Sequence, residues 1–251
     1  MSRRLQTLVL CYHALSEAWP SELAVRPSAF PRQLRSLLVR GYVPASLEES
    51  LDGSRKSVHV TFDDAYASVT AALPVLEALR IPATIFACTR YARDGRPLAV
   101  PELERDVAAY PDELATMDWD GLAAAVDRGV EVGSHTVSHP HLATLDDGDL
   151  AREVADSRTE IEDRLGQPCR FLAYPYGESD ARIRAAARRA GYKGAVGLGR
   201  APRTPVDRFE FPRIELSRKD TLVRATLKTS RVYDAVTMPG RERPPTRRSR
   251  S

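Results

Sequence analysis

The chain has 251 residues, of which 43% are hydrophobic and 28% are charged, the composition of an ordinary globular protein. Its net charge is +3, but residues 241–251 alone carry +4, which leaves −1 for residues 1–240. Because the folded part is near neutral, its charge offers no case for nucleic-acid binding, and we expect no nucleic-acid partner. We predict one domain over residues 1–239 and a disordered tail over residues 240–251, because that tail is rich in Arg, Pro and Ser and nearly devoid of apolar residues.

The cysteines and the apolar runs bear on the location of the protein. Cys11, Cys88 and Cys169 lie in apolar runs without a metal-binding spacing, so we expect buried, reduced thiols. The apolar run near the N-terminus is too short for a signal peptide, and no run approaches the roughly 18 residues that cross a membrane. The sequence therefore predicts a cytoplasmic protein without a membrane span.

Apolar runs alternate with amphipathic stretches along the whole chain. The runs predict strands over 8–12, 57–62, 83–88, 130–133, 170–174, 194–197 and 211–216. The amphipathic stretches predict helices over 30–40, 67–79, 119–128, 150–165, 180–190 and roughly 219–229. Seven strands separated by helices indicate parallel βα units, in one sheet or in a barrel.

Polar side chains follow several of these strands. His13, Asp63, Asp64 and His135 each come at or just after the C-terminal end of a predicted strand, as does the segment 174–176. Active sites of α/β barrels are built at that face, so this arrangement favours a barrel. The segment 90–117 has no clear periodicity, and we expect it to be an insertion over the site.

Two motifs have the residue types of a catalytic metal site. Thr61-Phe62-Asp63-Asp64 places two adjacent carboxylates at a strand end, where one can act as a base and the other as a metal ligand. His135 and His139 follow another strand with a spacing that lets one metal reach both rings if the segment forms a helical turn. One oxygen and two nitrogen ligands leave positions for water and substrate, which indicates a hydrolase.

Each candidate residue also has a structural interpretation. Adjacent aspartates often belong to turns or helix caps, and His141, which follows Pro140, is better suited to a surface position than to ligation. Tyr176 lies in a Tyr-Pro-Tyr-Gly sequence that is either a simple turn or a rigid loop presenting a backbone N–H to a reacting carbonyl. His13 is either a core histidine or an acid that protonates a leaving amine.

Taken together, these motifs resemble the polysaccharide deacetylase family, the NodB-like domain of carbohydrate esterase family 4. The resemblance covers roughly residues 7–217 and implies a distorted (β/α) TIM-like barrel of about seven strands, a divalent metal and the removal of acetyl groups from sugars. It implies that Asp63 is the general base and that the Tyr176 backbone N–H faces the oxyanion. It also implies the metal ligands, which are Asp64, His135 and His139.

The chain departs from the common family pattern at two places. The third family motif, which Tyr174-Pro175-Tyr176-Gly177 resembles, usually has an Arg at the position of Ala173. The usual histidine near the C-terminus is also missing, since no histidine follows His141. The N-terminal Tyr12-His13 resembles the circularly permuted branch that deacetylates poly-N-acetylglucosamine, which implies His13 as the general acid. Arg213 is the candidate to replace the missing Arg beside Asp63, the alternative being a surface arginine.

The leading hypothesis is a metal-dependent de-N-acetylase acting on an N-acetylated sugar or glycan. The alternatives are an O-acetyl esterase and a catalytically inactive sugar-binding domain, although the intact set of carboxylates and histidines disfavours the second. Zinc suits two imidazoles and a carboxylate, and cobalt or nickel suit them too. The substrate stays open among a polymer, a lipid-linked sugar and a small glycoside, and the sequence leaves the oligomeric state undetermined.

Overall fold

The computed structural model describes residues 7–53, 55–199 and 207–230, so the predicted tail over residues 240–251 lies outside the described residues. The strands are β1 (Leu8–Tyr12), β2 (Ala14–Leu15), β3 (Ala24–Val25), β4 (Val43–Pro44), β5 (Ser57–Phe62), β6 (Ala83–Ala87), β7 (Glu131–Ser134), β8 (Phe171–Ala173), β9 (Gly194–Leu198) and β10 (Phe211–Glu215). The helices are α1 (Phe30–Val39), α2 (Leu47–Leu51), α3 (Leu73–Leu79), α4 (Thr89–Ala92), α5 (Glu104–Ala109), α6 (Trp119–Asp127), α7 (Asp147–Leu165), α8 (Ala181–Arg189) and α9 (Leu222–Lys228). Among the residues described, no helix combines the length and the apolar character needed to cross a membrane.

Seven parallel strands form a closed barrel, which confirms the predicted fold class. Their order around the barrel is β1, β5, β6, β7, β8, β9 and β10, and β10 pairs back with β1. The short strand β4 pairs with the beginning of β5, outside this ring. Closure places the first strand of the chain between β5 and β10, which lie about fifty and two hundred residues further on.

The predicted strands are all present, and none of their ends differs from the prediction by more than one residue. The helix predicted over 67–79 is divided, because a 3-10 helix (Ala67–Ala72) precedes α3. Pro74 explains the division: proline has no N–H for the carbonyl four residues earlier, so the α-helix begins only at Leu73. The helices α2, α4 and α5 and the two-residue strands were not predicted, since they are too short to show a period.

The long helix α7 obeys the usual rules for helix ends and faces. In α7, the Asp146 side chain accepts a hydrogen bond from Asp149 N at 2.8 Å, and Gly166 ends the helix with φ of +62°. The buried residues of α7 recur at helical spacing and face the barrel: Leu150, Val154, Ser157 and Ile161. The outer core therefore lies between the strands and a layer of such helices.

A separate apolar cluster fills the barrel interior. It comprises alternate strand residues and two leucines of α2: Val9, Leu47, Leu51, Phe86, Phe171, Ala173, Val196 and Phe211. Because α2 immediately precedes β5, its leucines close the barrel at the N-terminal ends of the strands. Ser46 and Glu49 form a capping box that starts this helix. The opposite end, where the strands finish, stays available for polar side chains.

A third cluster lies at the C-terminal ends of the strands, and we call it the rim cluster. It is built from residues of two excursions of the chain and includes Ala14, Trp19, Ala24, Tyr66, Cys88, Tyr91, Leu98, Val100, Leu103 and Leu114. The segment 90–117, expected to be an insertion over the site, contributes about half of these residues and contains α5. It gives that face of the barrel a small core of its own.

Gly133 on β7 is required for the packing of the interior. A Cβ atom at this position would lie 2.5 Å from the Phe86 ring and 2.9 Å from the Phe171 carbonyl oxygen. Such contacts are shorter than real atoms allow, and the Phe171 oxygen belongs to the backbone of β8, so it can move only if the strand shifts. The absence of a side chain at residue 133 therefore lets the Phe86 ring pack in the interior cluster.

Replacing Gly133 with Ala should lower the free energy of unfolding by about 1–3 kcal/mol, because overpacking forces the strand or the ring to shift. Gly148, in the first turn of α7, is the matched control, since the nearest atom to an added Cβ lies 3.4 Å away. Gly148→Ala should be neutral or stabilising by up to about 1 kcal/mol. Urea midpoints measure both changes, and equal midpoints for the two variants would contradict this account of the interior.

Candidate active site

Asp64, His135 and His139 converge at the C-terminal ends of β5 and β7. The Asp64 Oδ1 atom lies 3.5 Å from His135 Nε2 and 3.5 Å from His139 Nε2. All three side chains are buried, with at most 8% of each exposed. These residues form one of the groups in the described part of the chain whose ligand atoms are close enough to hold a metal ion.

The donor set and its spacing fit a divalent metal. Asp64 Oδ1 is buried and has no hydrogen-bond partner among the described residues, and burial raises the pKa of this carboxyl. Burial lowers the pKa of His135 and of His139 to about 4, so both rings are neutral near pH 7, as ligation requires. Two ligands about 2.0–2.1 Å from zinc at a tetrahedral angle lie roughly 3.3 Å apart, close to the observed spacing.

Asp63, the other carboxylate of the pair, is bound by an arginine. Arg213 Nη1 and Nη2 donate to the two Asp63 oxygens at 2.6 and 2.7 Å, and the arginine is fully buried. Burial alone would raise the pKa of Asp63, but the Arg213 charge outweighs it and holds that pKa well below its usual range. Asp63 is therefore an anion at neutral pH. The two neighbouring carboxyls thus differ, because the pKa of Asp63 is lowered and that of Asp64 is raised.

Arg213 lies inside the barrel and has further partners there. Its Nε donates to the Gly197 carbonyl at 3.2 Å, and its Nη1 also donates to Thr61 Oγ1 at 2.9 Å. The guanidinium carbon is 5.4 Å from the centre of the Phe86 ring. The sequence alternatives for this residue were a surface arginine and a partner of Asp63, and the structure places it on Asp63.

The segment 135–139 is an irregular loop and not the helical turn that the His-x-x-x-His spacing suggested. Thr136 and His139 have φ of +70° and +61°, in the left-handed region. Glu153 of α7 stabilises this loop: it accepts hydrogen bonds from the Val137 and Ser138 amides, both at 2.9 Å, and from the Ser138 hydroxyl at 2.6 Å. The two rings are brought together by these tertiary contacts, with centroids 4.9 Å apart.

Backbone strain is concentrated at the site. Apart from Arg80 at the end of α3, every described non-glycine residue with a positive φ lies in these loops: Asp64, Ala65, Thr136, His139 and Tyr176. A left-handed conformation costs an L-residue roughly 1–2 kcal/mol, so the surrounding structure must impose it. Such outliers often mark functional sites.

His13, which directly follows β1, lies beside Asp63. Ligand atoms of Cys11, His13 and Asp63 all lie within 4.8 Å of one another, and Cys11 Sγ donates to Asp63 Oδ2 at 3.4 Å. His13 Nδ1 is 3.8 Å from Glu215 Oε1 and has no hydrogen-bond partner among the described atoms. Burial raises the pKa of the Cys11 thiol, so it stays protonated.

Tyr176 contacts the site from the loop after β8. Its ring packs edge-on against the His139 ring, with centroids 4.7 Å apart, and its φ is +59°. It is the second residue of a one-turn 3-10 helix (Pro175–Gly177), where an amide has no acceptor within the helix. Gly177 follows with φ of +72°, and a Cβ there would meet Leu198 at 2.6 Å. The loop is therefore held tightly against β9.

The structure thus places all seven sequence-predicted site residues at one end of the barrel. His141 lies at the edge, with its side chain 42% exposed, and contacts Glu102 and Glu178. Residues that contact the site and were not predicted include Cys11, Glu102 and Glu153. Glu153 is one of many charged residues on a long helix and Glu102 lies in a segment without periodicity, so no local pattern distinguishes either one.

The chain is similar in sequence to known proteins. Residues 50–195 match the family model described as polysaccharide deacetylase. The chain is 26% identical to YxkH of Bacillus subtilis over 75% of this chain and 63% of that protein. It is 32% identical to a chitooligosaccharide deacetylase of Sinorhizobium fredii over 48% of this chain and 47% of that protein.

A solved structure agrees in fold. The Streptococcus pyogenes deacetylase PplD, determined in complex with acetate, has a TM-score of 0.73 and 22% identity, covering 92% of this chain and 100% of that chain. The chain spans less than two thirds of the length of the curated relatives it matches. His13 and Arg213 both lie outside the residues that match the family model.

Replacing Glu153 with Ala should destabilise the protein by about 1–3 kcal/mol, because two backbone N–H groups of the loop lose their acceptor. Asp156→Ala is the matched control: it removes the same charge from an exposed position on the same helix and should change stability by less than about 0.5 kcal/mol. Denaturant midpoints measure both. A Glu153→Ala protein as stable as the control would show that the loop does not depend on this carboxylate.

Proposed function

The chain belongs to the polysaccharide deacetylase family, and we propose that it is a metal-dependent hydrolase that removes N-acetyl groups from a carbohydrate. One observation carries the proposal. The buried Asp64 Oδ1 has no hydrogen-bond partner among the described residues and lies 3.5 Å from each of two neutral imidazole nitrogens, beside a second carboxylate that an arginine keeps ionised. A sugar-binding module has no use for this combination.

The proposed ligands are Asp64, His135 and His139, and zinc is the metal that suits them best, with cobalt or nickel as alternatives. His135 Nδ1 is 2.8 Å from the Ala173 carbonyl, so it carries the proton and leaves the Nε2 lone pair for the metal. A divalent ion held there would polarise the acetyl carbonyl and lower the pKa of a water molecule.

Asp63 is the proposed general base. Its pKa lies below the usual range because of Arg213, so it is ionised and ready to accept a proton, but its proton affinity is low. So weak a base can deprotonate a water molecule only if the pKa of that water is lowered. The role of Asp63 therefore depends on the metal that the neighbouring ligands would hold. Asp63 then takes the proton of the water that attacks the acetyl carbonyl.

The remaining groups act on the oxyanion and on the leaving nitrogen. The Tyr176 amide, in a loop held against β9, donates to the oxygen that becomes negative. His13, which lies beside Asp63, gives a proton to the nitrogen as the carbon–nitrogen bond breaks. The products are acetate and a free amine on the sugar. The chitooligosaccharide deacetylase that resembles this chain supports an N-acetylated sugar as substrate.

Two substitutions test the separate roles of Asp63 as the general base and of His139 as a metal ligand. Asp63→Asn should keep the bound metal and lower turnover of an N-acetylglucosamine oligomer by about two to four orders of magnitude, since only the base is lost. His139→Ala should lose both the metal and the activity. Metal content by elemental analysis and acetate release are measured together, with circular dichroism to verify folding. Stoichiometric metal in His139→Ala, or near-normal turnover in Asp63→Asn, contradicts the respective role.

A further test concerns His13 and the nature of the leaving group. An amine must be protonated to leave, whereas an activated phenolate leaves without a proton. His13→Ala should therefore lose far more activity on an N-acetylglucosaminide than on an activated phenyl acetate, with unchanged metal content. Equal losses on the two substrates would assign His13 a structural role and leave the proton donor to be found elsewhere.

A further inference from the structure

The two histidine ligands are oriented in different ways. His135 Nδ1 is fixed by the Ala173 carbonyl at 2.8 Å. His139 Nδ1 is buried and has no hydrogen-bond partner among the described residues. Metal-binding histidines usually donate this second N–H to a carboxylate, a carbonyl or a water, which sets the angle of the ring. In the part of the chain that the structure describes, the orientation of His139 depends on packing instead.

The Tyr176 ring supplies that packing. Its centroid lies 4.7 Å from the His139 centroid at an interplanar angle of 67°, and the His135 ring lies 4.9 Å away on another side. Tyr176 is itself in a strained, left-handed conformation with φ of +59°. Its ring can orient His139 only if something holds the tyrosine in place.

Two contacts hold the tyrosine, and one of them is itself supported by two glutamates. The Tyr176 hydroxyl donates to Glu102 Oε2 at 3.0 Å. The His141 ring stacks on the Tyr176 ring with centroids 3.8 Å apart and an interplanar angle of 8°. The His141 ring is in turn oriented by Glu102 Oε1 at 3.4 Å from Nε2 and by Glu178 Oε2 at 3.3 Å from Nδ1. Glu102 is the one residue of this set that contacts both rings by hydrogen bonds.

Glu102 is positioned by the rim cluster. It lies in a 3-10 helix (Pro101–Leu103), and its neighbours Val100 and Leu103 are buried in that cluster, 7% and 8% exposed. The Glu102 side chain itself is 49% exposed and reaches outward to the two rings. The segment 90–117 therefore contacts the site through the Glu102 carboxylate. Buried apolar residues on either side anchor the backbone of Glu102.

We propose that Glu102 is a positioning residue for His139, acting through the Tyr176 ring and not through contact with the reacting atoms. The inference rests on the proposed function only in that His139 binds a metal. By holding the Tyr176 hydroxyl and the His141 ring, Glu102 keeps the tyrosine ring against the imidazole at the angle that ligation requires. The packed ring thus replaces the missing hydrogen bond on Nδ1.

Cobalt(II) titration of the metal-free protein, followed by its visible absorption, tests this proposal without an activity assay. Glu102→Ala and Tyr176→Phe should each weaken cobalt binding about tenfold, the lower end of the usual effect of losing an outer partner of a ligand. The double variant should bind cobalt no more weakly than Glu102→Ala, because Glu102→Ala already removes the contact that Tyr176→Phe breaks. Glu104→Ala, which removes the same charge two residues away at an exposed position, should bind cobalt like the unmodified chain.

Glu102→Gln separates position from charge. The amide oxygen of Gln still accepts the tyrosine hydroxyl, so this variant should retain most of the cobalt affinity. Equal losses in Glu102→Gln and Glu102→Ala would show a simple charge effect and overturn the proposal, as would normal affinity in both Glu102→Ala and Tyr176→Phe. If the unmodified chain binds no cobalt, the proposed metal site itself fails, a result distinct from either outcome. Unchanged melting temperatures of the metal-free variants exclude a general loss of fold.

Discussion

The buried ion pair between Arg213 and Asp63 is the interaction on which the site depends. A fully buried guanidinium is costly to desolvate unless a carboxylate meets it with good geometry, and here both Asp63 oxygens accept hydrogen bonds from it. Removing one partner of such a pair typically costs about 3–5 kcal/mol, because the other is left as an unpaired buried charge. The pair therefore determines both the charge state of Asp63 and where the carboxylate can lie.

The interior of the barrel is arranged around this pair. Arg213 extends over the Phe86 ring, and Phe86 fits in the interior only because residue 133 is a glycine. The leucines of α2 close the other end, so the polar groups can leave the interior only towards the C-terminal ends of the strands. Apolar packing at the N-terminal ends of the strands and the buried ion pair nearer their C-terminal ends thus leave one polar face. Active sites of α/β barrels lie at that C-terminal face.

The loops on that face are strained and are held by contacts from distant parts of the chain. Glu153 of α7 binds the loop that carries His135 and His139, and the rim cluster anchors the segment from which Glu102 reaches Tyr176. The left-handed backbone conformations in these loops persist because such contacts impose them. The rigidity of the site is therefore a property of the tertiary structure around each motif, and a motif by itself would not fold in this way.

The sequence by itself determined the fold class, the strands and the face of the barrel on which the candidate residues gather, because these follow from local patterns. Apolar runs show where strands lie, and parallel strands bring their C-terminal ends to one face, so local patterns suffice to group Asp63, Asp64, His135 and Tyr176. Only the tertiary structure decided how the groups meet. The His-x-x-x-His segment forms a loop because Glu153 binds its amides, and spacing alone had suggested a helical turn. Arg213 reaches Asp63 because barrel closure places β1 between β5 and β10, and pairing between residues 150 positions apart leaves no trace in a local pattern.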